Sequence, residues 1–153
     1  MCKILLVEDD SSTRSLLTKI LSKEGFEIIE ASDGEEGLKL YEKVMDKPEV
    51  IILDYNLPKM NGLKLAQEIR SRNPSSKVLI ITGDPRFNKQ IADNMNIRLR
   101  TKPITKEDLI NEIDILRAPV VEIYDDFSFI YPGRNREFVQ EDEIGTLLKL
   151  HLS

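Results

Sequence analysis

The chain has 153 residues, 41% of them hydrophobic and 32% charged, which is room for one domain with a real core and a short appendage but not for two full domains. The formal net charge is −5, and residues 1–117 carry 19 basic against 20 acidic side chains while residues 118–153 carry 3 against 7, so neither part has the basic excess that direct nucleic-acid binding requires. Cys2 is the single cysteine, which excludes an internal disulfide and a cysteine metal site, and no apolar run is long enough for a signal-peptide core or a membrane span; a cytoplasmic protein without membrane association is expected.

Five strand segments alternate with helical patterns. Residues 3–7 form the first strand, with the apolar run Ile4-Leu5-Leu6-Val7 ending in Glu8, Asp9 and Asp10. Leu16, Leu17, Ile20 and Leu21 follow at helical spacing, and Gly25 stands where a helix C-cap belongs. Residues 26–30 form the second strand, and a helix follows Asp33. Residues 49–53 form the third, whose run Val50-Ile51-Ile52-Leu53 stops at the bare carboxylate of Asp54. A helix from Gly62 to about Arg72, a fourth strand at 77–82, a short helix near 86–94 and a fifth strand at 97–101 come next. The last regular helix runs from Thr105 to about Arg117, with Leu109, Ile110, Ile113 and Leu116 on one apolar face.

Such alternation predicts an α/β fold, a doubly wound parallel sheet with helices on both faces and right-handed crossovers. In open sheets of this kind the ligand crevice lies beyond the carboxyl ends of the strands. The acids after the first and third strands would then meet at one edge. Four carboxylates so gathered repel one another and call for a cation, and hard oxygen donors suit Mg²⁺. Thr82 ends the fourth strand and Lys102, followed by Pro103, ends the fifth. Acids, a nucleophilic carboxylate, a hydroxyl and an ammonium together are the equipment for phosphoryl transfer to an aspartate.

In their joint order and spacing Val7-Glu8-Asp9-Asp10, Leu53-Asp54-Tyr55-Asn56-Leu57-Pro58, Met60-Asn61-Gly62, Thr82-Gly83 and Lys102-Pro103-Ile104 make the chain resemble the receiver domains of two-component response regulators. The resemblance covers residues 2 to 117. It implies a five-stranded, flavodoxin-like sheet of order 2-1-3-4-5 and a phosphoryl group taken by Asp54 from a histidine kinase or a histidine phosphotransfer protein. It further implies Mg²⁺ held by Asp9, Asp54 and the backbone carbonyl of Asn56, with Glu8 acting directly or through water. Thr82 would bond a phosphoryl oxygen, Lys102 would pair with the acyl phosphate, and the output would be contact with a downstream protein target. Gly83 fits the small residue beside the phosphoryl group, and Asn56 and Asp84 occupy positions that tune hydrolysis in similar proteins. Asp10 serves equally well as a helix cap. His151 has no assigned role.

Two features depart from the family pattern. Leu99 stands where many members carry Tyr or Phe, and the interval from Thr82 to Lys102 is short, with Asn94-Met95-Asn96 before the fifth strand, so a short or irregular fourth helix and an altered output face are expected. Residues 118–153 are too few for a winged helix; extended runs at 120–124, 127–131 and 136–139, a turn at 132–135 and a helix from about 141 to 151 are expected there, as a short C-terminal β/α appendage. This extension would pack on the domain, contact a partner, or support a homodimer, and the boundary is set at 117/118. The rival functions are a Mg²⁺-dependent phosphatase with an aspartate nucleophile, which wants an acid at position 56, and a pseudo-receiver that works without phosphorylation.

Overall fold

A computed structural model describes residues 2–83 and 89–119. The elements in chain order are β1 (Lys3–Val7), α1 (Ser11–Lys23), β2 (Glu27–Ala31), α2 (Gly34–Lys43), β3 (Val50–Leu53), α3 (Gly62–Arg72), β4 (Lys77–Thr82), α4 (Lys89–Asn94), β5 (Arg98–Thr101) and α5 (Lys106–Arg117). All strand pairs are parallel and the sheet order is β2-β1-β3-β4-β5, as expected. Residues Met1–Leu116 group as one compact unit. The strands, turn and helix expected within 120–153 lie outside the described residues, as does Asp84.

The sequence of each strand explains its place. β1, β3 and β4 are near-continuous apolar runs because both of their faces are covered, whereas β2 and β5 carry Glu27, Glu30, Arg98 and Arg100 and form the two edges. Alternate residues feed two separate cores. Leu5, Val7, Ile51, Leu53, Val78 and Ile80 pack on the side of α2, α3 and α4. Ile4, Leu6, Val50, Ile52, Leu79 and Ile81 pack on the side of α1 and α5.

Helix starts are set by side-chain caps. Asp10, Asp33 and Asn61 accept hydrogen bonds from the backbone N–H of Thr13, Glu36 and Lys64, each at 2.8 Å. Gly25, at φ +92°, takes the left-handed conformation that ends α1 and returns the chain to β2. The described part of α4 is six residues, about 1.7 turns, and the start expected near residue 86 lies outside the described residues.

Leu99 of β5 faces the side of α4. It is half-buried in the core that contains Ala92, Met95 and Ile97. The outward charges of β5 belong to Arg98 and Arg100, which reach across to α5.

Candidate functional site

The parallel register brings the acids together. Val7 of β1 pairs with Leu53 of β3, so the next residues of both strands leave the sheet side by side. The Asp54 N–H donates to the Val7 carbonyl at 3.2 Å and the Glu8 N–H donates to the Ala31 carbonyl at 3.1 Å, which fixes both backbones at the sheet's edge. Carboxylate oxygens of Glu8, Asp9 and Asp54 lie within 4.8 Å of one another. Glu8 and Asp54 are buried and Asp9 is exposed.

Lys102 comes from the far side. Thr82 pairs with Thr101 at the ends of β4 and β5, and the Lys102 N–H donates to the Thr82 carbonyl at 2.9 Å. The Lys102 ammonium donates to Asp54 Oδ2 at 2.6 Å and to Glu8 Oε2 at 3.3 Å. Thr82 is buried beside it, 1% exposed. The other Asp54 oxygen, Oδ1, accepts from the N–H of Asn56 at 3.0 Å. Four expected side chains, Glu8, Asp9, Asp54 and Lys102, therefore converge on one strand-end edge; Thr82 stands buried at the adjoining end of β4, and the Asn56 N–H reaches the Asp54 carboxylate.

Burial pushes the Glu8 carboxyl above its usual range; Lys102 opposes this and the Asp54 charge adds to it. Burial by itself would draw the Lys102 ammonium down, but its bond to Asp54 and the charges of Glu8 and Asp54 outweigh that and hold it above its usual value. One ammonium thus serves two buried carboxylates, with a third carboxylate at hand. The cluster remains short of positive charge, and close hard-oxygen donors in that condition are compatible with a divalent cation.

Asp10 is not one of that set. Its carboxylate accepts from the N–H and the hydroxyl of Thr13, which hold its pKa down, so it caps α1. Gly83 is exposed, and among the described residues a Cβ there would meet the Cβ of Lys102, at 4.0 Å. The Lys102-Pro103 peptide bond is cis.

Among the supporting residues, Gly62 belongs to the Met60-Asn61-Gly62 motif, while Arg14 and Glu112 were not singled out in the sequence. Arg14, one turn into α1, donates from Nη1 to the Glu8 carbonyl at 2.7 Å and so steadies the β1 end. Gly62 fits against the phosphoacceptor candidate itself: an added Cβ would stand 2.1 Å from the Asp54 carbonyl oxygen. Its N–H donates to the Tyr55 carbonyl at 2.8 Å, which folds the loop tightly back on β3. On α5, Glu112 is 1% exposed and accepts from Arg98 at 2.8 and 3.0 Å and from Arg100 at 3.1 Å. Arginines two apart on one strand face were the available signal for that last group.

Comparison with known proteins gives a consistent outcome. The family described as "Response regulator receiver domain" matches residues 4–114. The chain is 40% identical over 88 residues to the alkaline phosphatase synthesis transcriptional regulatory protein PhoP of Bacillus subtilis, covering 57% of this chain and 36% of that one. It is 31% identical over 117 residues to the response regulator receiver protein CpdR of Brucella abortus, covering 74% of this chain and 95% of that one. Among solved structures, the response regulator protein TrrA of Thermotoga maritima, in complex with Mg(2+)-BeF, superposes with a TM-score of 0.69 at 29% identity, covering 76% of this chain and 99% of that one. The chain thus spans about a third of PhoP and nearly all of CpdR.

Proposed function

Since the chain belongs to the family of response regulator receiver domains, phosphoacceptor modules of two-component signalling rather than enzymes with a turnover substrate, we propose that Asp54 is the residue that takes the phosphoryl group. The observation that carries this reading is the grouping of Asp54 with Glu8 and Asp9 within 4.8 Å, under a lysine ammonium at 2.6 Å. The donor would be a phosphohistidine of a histidine kinase or of a histidine phosphotransfer protein.

Asp9 and Asp54 would hold Mg²⁺, with Glu8 and the Asn56 carbonyl supporting it. When bound, Mg²⁺ supplies positive charge that offsets the phosphoryl oxygens during in-line transfer. A carboxylate oxygen of Asp54 forms its bond to phosphorus as the bond between phosphorus and the donor imidazole nitrogen breaks. The imidazole leaves with the electron pair and takes up a proton. The Asn56 N–H on Oδ1 keeps the carboxylate from rotating, and the Lys102 ammonium on Oδ2 neutralises it in the resting site.

Once Asp54 carries the phosphoryl group as an acyl phosphate, the negative charge lies outward on the phosphoryl oxygens. Lys102 then follows that charge, and the hydroxyl of Thr82 donates to a phosphoryl oxygen. New charge-assisted bonds at the ends of β4 and β5 bias one of two arrangements of those strand ends. Residues 1–117 form the receiver in this reading, and residues 118–153 serve as an interaction or dimerisation element beside a downstream protein target. Localisation is assigned to the cytoplasm; among the described residues no helix is long and apolar enough to cross a membrane.

The phosphatase alternative is disfavoured because position 56, where its general acid would sit, is asparagine. A pseudo-receiver is disfavoured because the acids, the hydroxyl and the ammonium are all at hand. Incubation with acetyl phosphate and Mg²⁺ tests the reading: the wild type gains a base-labile phosphoryl group and Asp54→Asn gains none. Equal labelling of the two proteins would move the acceptor elsewhere.

A further inference from the structure

The loop that leaves β3 at Asp54 and enters α3 at Gly62 is held from a second side by an element with no assigned part in the chemistry, the first turn of α2. The Gly34 N–H donates to the Pro58 carbonyl at 3.4 Å. A Cβ added at Gly34 would stand 2.3 Å from the Met60 carbonyl oxygen and 2.6 Å from Met60 Cβ. Lys59, in the left-handed conformation at φ +69°, brings its ammonium to 3.5 Å from the Asp33 carboxylate, which is also the cap of α2. The Met60 N–H folds back on the Pro58 carbonyl at 2.7 Å.

We propose that Gly34 is a positioning residue for phosphoryl acceptance: the loop rests on its bare α-carbon, and that seat sets where the Asn56 backbone stands over Asp54. The inference rests on the reading of Asp54 as acceptor. Its physical basis is that the group filling the missing Cβ position is backbone, which cannot swing aside as a side chain can. The loop cannot yield at its α3 end either, because Gly62 is packed against the Asp54 carbonyl with equal closeness. Displacement of Met60 is therefore transmitted towards Asn56, whose N–H orients Asp54 Oδ1. A shift there misaligns the carboxylate for in-line attack and moves the carbonyl that would support Mg²⁺.

Gly34 has no left-handed φ, so alanine suits the helix backbone and the Gly34→Ala protein is expected to fold. Glu35→Ala, an exposed change in the same helical turn, is the control. In Gly34→Ala the NMR amide resonance of Asn56 shifts, the Mg²⁺ titration midpoint rises about tenfold, as for loss of an outer support of a metal ligand, and labelling by acetyl phosphate slows, with a fall in thermal midpoint from the backbone that must give way and the variant still folded at the assay temperature. Glu35→Ala leaves all of these unchanged. Lys59→Met, which keeps the stem and removes the ion pair with Asp33, raises the Mg²⁺ midpoint about two- to fivefold and stands in should the alanine protein fail to fold. An unmoved Asn56 amide and an unmoved Mg²⁺ midpoint in the folded variants overturn the proposal. Absence of label on wild-type Asp54 would instead overturn the acceptor assignment, while the Asn56 amide would still report on the seat.

Discussion

Lys102 is the residue on which the resting site depends most, and Lys102→Ala exposes the balance of charges. The ammonium is about one-third exposed and touches two carboxylates that are themselves almost fully buried. Without it, Glu8 and Asp54 face each other with donor oxygens inside 4.8 Å, a repulsion of about 3.5 kcal/mol at an effective dielectric constant near 20. Breaking a buried pair typically costs about 3–5 kcal/mol, and partial exposure of the lysine lowers that, so a loss of about 2–3 kcal/mol is expected in metal-free protein at neutral pH. Mg²⁺ replaces the missing charge. Urea unfolding with chelator should therefore show the full loss, and unfolding in saturating Mg²⁺ should recover most of it. Phosphodonor labelling should not follow the recovery, because the ammonium that tracks the phosphoryl group is gone. An equal loss of stability with chelator and with Mg²⁺ would refute the reasoning, since the lysine would then be acting through packing rather than charge.

The remaining predictions concern the acids. Glu8→Gln should raise metal-free stability, because the folded state holds this carboxyl above its usual pKa and so disfavours the charge, and the same change should weaken Mg²⁺ binding; a destabilised metal-free variant in urea titration would contradict it. Burial alone would push Glu112 up, but the bonds from Arg98 and Arg100 outweigh it and its pKa is lowered. Its contribution is therefore present above the ordinary glutamate pKa and lost as pH falls through the lower folded value. Glu112→Gln should cost about 2 kcal/mol at pH 7, with both arginines free to rehydrate, and the difference from wild type should shrink in strong acid; a gap of constant size across that range in urea titrations would remove the charge argument.

The architecture was readable because its strongest signals are local. Apolar runs such as Ile4–Val7 and Val50–Leu53 can only be strands covered on both faces, and once they are parallel neighbours their terminal acids must meet. Thr82 and Lys102 followed from the same rule at the next two strand ends. Asp10 could not be decided from the sequence, because a cap and a ligand want the same short carboxylate; Thr13, whose N–H and hydroxyl both bond it, decides for the cap. Leu99 was legible only as a replacement for the Tyr or Phe many family members carry; it lies in the α4-side core, since a four-residue edge strand with alternating Arg and Leu buries its apolar residue and sends its charges to α5. Glu112 was hidden for a related reason. It sits inside the apolar stripe of α5, and only the tertiary approach of two β5 arginines makes a carboxylate tolerable there. Gly34 and Gly62 carry no such local signature for their closest contacts, which are to backbone of the β3–α3 loop.

The acceptor itself can be located chemically. Borohydride converts an aspartyl phosphate into homoserine, so protein treated with acetyl phosphate and Mg²⁺ and then reduced should carry homoserine at position 54 and nowhere else, and none when Mg²⁺ is chelated. Homoserine at position 9, or a yield at position 54 indifferent to Mg²⁺, would contradict the assignment of Asp54 as the nucleophile and its acidic neighbours as the cation site.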